Sequence, residues 1–318
     1  MKIVIILLAI FFSLNMGATS FAGSFSTAVG SKAMSKLKAG LLFTILAVLG
    51  AVLFGQAVSN TLSKGIIPAN LISLKAVAII LAAATSSLFV ANLMHIPQST
   101  SLSTLASICG VGLYYHQVAV HKINYLVLCW VLSTISSYFL IYSAARYVYP
   151  PRRSNFWVYE KIVHHQERLK KIVVMTSCYK AFAQGSNNVA NAVGPLVAAG
   201  MVGTIPGLWI LGLIFGLGAY TFGGPLKTSS EKIVPLGLLT ATIINLVSGT
   251  ITLVASKLGV PLPTVIVYTV AIFAVSSIKD GTHATLRKSL TKKTFFTWCI
   301  NPAITLLVSY LLSKAFLK

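Results

Sequence analysis

Acidic residues are almost missing from this chain. Four aspartates and glutamates stand against 25 lysines and arginines in 318 residues. Those four, Glu160, Glu167, Glu231 and Asp280, all fall in polar stretches between apolar segments. A membrane-embedded enzyme needs a buried acid, base or metal set, and no apolar segment here carries a carboxylate, which argues against that class. Charge of either sign makes up only 9% of the chain, while 56% is hydrophobic and the mean hydropathy is +0.85. A soluble fold does not carry so much apolar surface beside so little charge. Cysteine is sparse as well. Cys109, Cys129, Cys178 and Cys299 are scattered singly through apolar runs, without metal-ligand spacing or a disulfide framework, and read as small core residues.

What the chain does have is a series of long apolar runs. Residues 40–58, 74–93, 99–115, 123–148, 205–222, 233–256, 262–278 and 294–316 each approach the ~20 residues an α-helix needs to cross hydrocarbon. Two further runs, 3–30 and 172–200, are interrupted by polar residues and add a crossing each. The fold class is therefore an all-α polytopic membrane protein of the plasma or inner membrane, with about five plus five spans.

In a soluble protein the net charge of +21 would point to nucleic acid. Its placement argues otherwise. With the N-terminus outside, 16 of the 25 basic residues fall in cytoplasmic loops and seven outside, the bias of the positive-inside rule. The partner this charge serves is the bilayer. Five spans per half reverse the second half, giving an inverted repeat: residues 1–149, then a basic cytoplasmic linker 150–171, then residues 172–318. In the linker Phe156, Trp157, Tyr159, Ile162 and Val163 come at loosely helical spacing, as in a short helix lying on the anionic inner leaflet. His164, His165 and Glu167 in the same stretch read as solvated.

The two interrupted runs match each other. Residues 183–197 read A-Q-G-S-N-N-V-A-N-A-V-G-P-L-V, and 168 residues earlier stands N-M-G-A-T-S-F-A-G-S-F-S-T-A-V, with Gly17 opposite Gly185 and Ala22 opposite Ala190. Residues 1–23 also carry the pattern of a signal peptide, but cleavage there would destroy half of this repeat. Paired interruptions in corresponding halves of an apolar chain point to a transporter's binding site, because broken backbone at membrane depth survives only beside protein or a solvated cavity. A second pair follows. N-L-M-H-I-P-Q-S-T-S (92–101) and K-L-G-V-P-L-P-T-V (257–265) place Pro97 and Pro261 at an offset of 164. Proline before a hydroxyl residue is a helix-start signature, so Ser99, Thr100 and Ser101 open a half-length helix over 103–112, and Thr264 keeps the one hydroxyl of the second copy.

A helix restarted at mid-membrane exposes about four free N–H groups and roughly half a positive charge, and that end binds anions without a cationic side chain. Gly17 and Gly185 are expected to turn the backbone. Gly17, Ala18, Thr19, Ser20, Gly185, Ser186, Asn187, Asn188 and Asn191 would then fringe the new helix starts. With the starts at Ser99 and Thr264, four N-termini would converge on one small multivalent anion. Lys180, five residues before Gly185, is the only charge near either interruption. It is a candidate countercharge or stand-in for a coupling cation, or else it snorkels to the cytoplasmic face.

G-S-N-N-V-A-N-A-V-G-P (185–195) is similar to the G-A-N-D-V-A-N-A-x-G-P signature of the PiT (inorganic phosphate transporter) family. The copy G-A-T-S-F-A and the segment I-P-Q-S-T-S resemble further elements of that family. The resemblance implies a dimeric secondary transporter of inorganic oxyanions, coupled to sodium or protons, and it places the family's aspartates at Ser20 and Asn188. Neither is acidic here. Hard cations favour carboxylate oxygens, so sodium coupling loses its usual ligands. Sulfate has acceptors only and would be repelled by a carboxylate, whereas hydrogen phosphate can donate to one. The variants also resemble the family's sulfate-permease branch. Sulfate is favoured, with phosphate as the alternative, and no cofactor is implied. Importing a dianion against an inside-negative potential costs about 2.3 kcal/mol per charge per 100 mV, so cotransported cations are required. Protons are favoured over Na+, with Lys180 and His95 as candidate carriers. A lone membrane histidine also reads as a structural hydrogen-bond partner.

Overall fold

The computed structural model of the protein describes residues 1–93, 98–149, 153–157, 160–161, 165–221 and 237–317. His95, Pro97, Tyr159, Ile162, Val163 and His164 lie outside these residues. Among those described, the first half contains α1 (Lys2–Gly30), α2 (Lys36–Lys64), α3 (Leu74–Leu93), α4 (Thr100–Tyr114) and α5 (Val120–Ala145). The second contains α6 (Gln166–Asn188), α7 (Ala190–Ala198), α8 (Thr204–Leu217), α9 (Leu238–Lys257), α10 (Thr264–Asp280), α11 (Thr282–Arg287) and α12 (Ser289–Phe316).

Helix starts in the two halves correspond. α2, α3, α4 and α5 start 168, 164, 164 and 169 residues before α8, α9, α10 and α12. Contacts follow the same correspondence: α1 packs on α3 as α6 does on α9, and α1 on α8 as α6 does on α2. The outer helices cross over, α5 lying against α10 and α12 against α4. At the centre α2 and α8 run antiparallel. Gly40 meets Tyr220 at one end of that contact, and Gly55 meets Leu208 at the other. Phe21, Phe43 and Phe215 fill the space between α1, α2 and α8, with ring centroids 5.5 Å apart in each successive pair.

Among the described residues six helices are individually long and apolar enough to cross a bilayer, namely α1, α2, α3, α5, α9 and α12. Leu128, Leu132 and Phe139 on α5 and Ile304, Leu307 and Leu311 on α12 are more than 48% exposed, an apolar outer face that hydrocarbon would solvate. α4 has 15 residues, about 22 Å of helix, and so covers only part of the bilayer's depth.

The first interruption is not a break. α1 runs through Gly17 without losing its helix, so Thr19 and Ser20 stand at no helix start. Gly185 likewise lies inside α6, and the only irregularity comes at Val189, which keeps right-handed helical angles (φ −59°, ψ −34°). The expected turns at Gly17 and Gly185 are replaced by close helix crossings. A Cβ on Gly17 would overlap the Phe215 carbonyl of α8, and one on Gly185 the Ala47 carbonyl of α2. Gly218 and Gly50 make the reciprocal approaches to the carbonyls of Leu14 and Phe182. Glycine serves these positions by removing a side chain, which lets neighbouring backbones touch as in small-residue membrane interfaces. Two helix starts therefore converge, α4 and α10, instead of four.

Candidate functional site

The starts of α4 and α10 meet the polar residues of α1, α6 and α7 inside the bundle. Ser99 caps α4, its Oγ accepting from Leu102 N (3.3 Å), so the helix opens at Thr100, three residues before the expected position. α10 opens at Thr264, directly after Pro263. The turn before it is held at several points. Gly259 takes a left-handed φ of +68°, a conformation that favours glycine. Thr61 Oγ1 donates to Gly259 O (2.7 Å) and Trp130 Nε1 to Pro261 O (2.9 Å). Ser101 Oγ donates to Leu262 O (2.9 Å), tying the two helix starts together.

Within this frame six side chains gather. Asn188 Nδ2 donates to Ser20 Oγ (2.9 Å) and lies 3.2 Å from Thr264 Oγ1, which also lies 3.2 Å from Asn188 Oδ1. Asn191 Nδ2 donates to Ser101 Oγ (3.2 Å) and Thr100 Oγ1 (3.4 Å). None of the six is more than 4% exposed, so the cluster is closed off from both faces. Two polar atoms in this region, Asn191 Oδ1 and Thr104 Oγ1, are buried with no hydrogen-bond partner among the described residues. A buried polar atom left unpaired costs about 1–3 kcal/mol, and a bound ligand would remove that cost.

The other expected residues lie elsewhere. Asn187 is spent on the turn before α10: its Nδ2 donates to Ser256 Oγ (3.0 Å) and Val260 O (2.9 Å), and its Oδ1 accepts from Leu262 N (2.8 Å). Ser186 Oγ donates to Ala183 O (2.7 Å) and meets Ser256 Oγ (2.9 Å). Thr19 Oγ1 turns back to Met16 O (2.9 Å) within its own helix. Gly17, Ala18 and Gly185 are packing positions.

Lys180 turns into the bundle, toward α1 and α10. Its residue is 2% exposed, its Nζ donates to Gly23 O of α1 (2.7 Å), and the same nitrogen sits 3.2 Å from the centroid of the Tyr268 ring of α10. Gln184, buried with its Oε1 unpartnered, fills the turn between Lys180 and Asn188. Tyr268, Gly23 and Gln184 were missed by the sequence reading. Helical spacing offers a signal for two of them: Tyr268 is one turn beyond Thr264, and Gln184 one turn from both Lys180 and Asn188. Nothing comparable marks Gly23. In the linker, Glu167 pairs with Lys170 (2.7 Å), whose ammonium holds the carboxyl below its ordinary range, and His165 Nδ1 meets Lys161 O (2.9 Å).

Residues 16–312 match the phosphate transporter family. The chain belongs to that family. The sulfate permease CysP of Bacillus subtilis is 33% identical over 320 residues, which span 100% of this chain and 89% of that protein. A candidate phosphate permease of Thermococcus kodakarensis is 29% identical over 382 residues, covering 94% of this chain and 93% of its own. The solved structure of the sodium-dependent phosphate transporter superposes with a TM-score of 0.81 at 23% identity, covering 98% of both chains, and so shares the fold. The protein is a multi-pass membrane transporter of this family and not an enzyme.

Proposed function

We propose that the protein imports a tetrahedral inorganic dianion, sulfate in preference to phosphate, by symport with protons. The observation that carries this reading is the 2.9 Å hydrogen bond between Asn188 and Ser20, the two positions at which the family resemblance places aspartates. Two carboxylates at such a distance could not both ionise without a cation between them. A neutral amide and hydroxyl need none, and they offer donors to an oxyanion that has only acceptors. The starts of α4 and α10 add backbone N–H groups and positive helix ends. Thr100, Ser101, Asn191, Thr264, Ser20 and Asn188 are the proposed substrate contacts, and the working unit is the homodimer that the resemblance implies. Similarity to the Bacillus sulfate permease over the whole chain supports the same substrate.

A second reading, phosphate coupled to sodium or protons, rests on Asn191 Oδ1. That buried acceptor has no partner, and hydrogen phosphate carries a proton to donate to it. The Thermococcus relative supports it. Radiolabelled sulfate uptake into proteoliposomes, with unlabelled phosphate as competitor, tests both. Accumulation driven by a pH gradient and indifferent to phosphate is the expected result. Phosphate uptake driven by a sodium gradient would replace the first reading with the second.

A further inference from the structure

Lys180 is a buried lysine, and among the described residues no carboxylate faces it. Among the described residues the acidic side chains Glu160, Glu167 and Asp280 are all surface-exposed or paired with lysines there, and none meets Lys180. Its surroundings are those of a bound monovalent cation: a main-chain carbonyl at 2.7 Å and the face of an aromatic ring at 3.2 Å. The ring quadrupole and the carbonyl dipole attract positive charge of any origin. The unpartnered Gln184 Oε1 lies on the next turn of the same helix, and a Cβ on Gly23 would come within 3.4 Å of Gln184 Nε2, so this amide borders the same pocket. Position 180 stands eight residues from Asn188, about 12 Å along α6, with Gln184 midway.

The repeat sharpens the point. At the offset of 168 residues, Phe12 and Met16 stand opposite Lys180 and Gln184, and both are buried and apolar. Among the described residues these polar contacts lie on the side of the Ser20–Asn188 pair toward the linker end of α6, and their counterparts in α1 are apolar.

We propose that the Lys180 ammonium is a tethered cation occupying a monovalent-cation site built from Gly23 O, the Tyr268 ring and the Gln184 amide, and that it supplies the oxyanion's nearby countercharge in place of a diffusible ion. This rests on the oxyanion-transport reading and adds the partner charge to it. The site, emptied of its side chain, accepts a small free cation instead.

The test is sulfate counterflow in proteoliposomes with identical buffers on both sides, so that added amines dissipate no gradient. Lys180→Ala is expected to lower exchange at least about tenfold, the scale of a desolvated cation–π contact with a charged hydrogen bond. n-Propylammonium, which restores the deleted stem and charge, or Na+ is expected to recover most of the loss, and the bulky tetraethylammonium none. Exchange unchanged in Lys180→Ala overturns the proposal. So does a folded Lys180→Ala protein, monodisperse by size exclusion, that neither small cation restores. Should that variant not fold, Tyr268→Leu against Tyr268→Phe decides. Loss of exchange at least about tenfold greater for leucine supports the aromatic cation site, and equal behaviour overturns it. A wild-type protein that exchanges neither sulfate nor phosphate would sink the transport reading itself, a result separate from any effect of Lys180.

Discussion

At the level of single residues, two adjacent asparagines have different tasks. Asn187 makes three hydrogen bonds, two to the backbone of Val260 and Leu262 in the turn before α10 and one to Ser256 at the end of α9. Asn187→Ala leaves a buried N–H and C=O unpaired, at about 1–3 kcal/mol each, so thermal unfolding of the detergent-solubilised protein should shift down together with transport. Asn191→Ala frees only the hydroxyls of Thr100 and Ser101, and Ser101 keeps its bond to Leu262 O. Uptake is expected to fall at least about tenfold there, as one charge-assisted hydrogen bond to the anion is lost, while the melting temperature moves little. Equal melting shifts for the two variants would remove the distinction. Asn188→Asp tests the substrate argument. It places a carboxylate against Ser20 and should lower sulfate uptake while making phosphate uptake respond to sodium, read by labelled uptake with and without NaCl. If uptake of both anions is unchanged, position 188 does not discriminate between them.

Helices were easier to read from the chain than their interruptions. The apolar run 74–93 is α3 to the residue, and the Pro-then-hydroxyl signature found both α4 and α10, because a capping serine and a preset φ act locally. The paired motif is legible in the chain, but the turn it suggests at its glycines is absent from the structure. Spacing alone cannot distinguish a glycine that turns the chain from one that admits a neighbouring helix, since the second reason lies on another element. Gly17 and Gly185 belong to the second kind. Gly17→Ala or Gly185→Ala should cost about 1–3 kcal/mol or more by forcing α1 off α8 or α6 off α2. Gly30→Ala, at the end of α1 with nothing within 4 Å of the added carbon, should be neutral or stabilising. Melting curves of the three variants check this, and a hinge role would instead leave Gly17→Ala folded but inactive. The Lys180 pocket was legible only as a charge in an apolar run. The Tyr268 ring that receives it comes from a helix 88 residues away.

For the whole molecule, the proposed proton symport of a dianion has an electrical signature that charge balance fixes. Two protons moved with a dianion make the cycle neutral, and a third makes it electrogenic. Each net charge is worth about 2.3 kcal/mol per 100 mV, so clamping the liposome potential with potassium and valinomycin should leave a two-proton cycle unchanged and steepen a three-proton one severalfold. Packing bears on how the cycle moves. α5 lies on α10 and α12 on α4, so each sequence half is braced by the last long helix of the other. Separating the halves as rigid blocks would strip both braces at once.

The bond between Ser20 and Asn188 joins two matching positions of the paired motif, 168 residues apart. Each is therefore the other's immediate surroundings, and neither can change alone without altering the environment of its twin. A carboxylate gained at one would face a neutral partner, and one lost from an acidic pair would leave the survivor unbalanced. A change of charge at this pair is therefore least disruptive when both positions change together, so the two behave as one electrostatic unit.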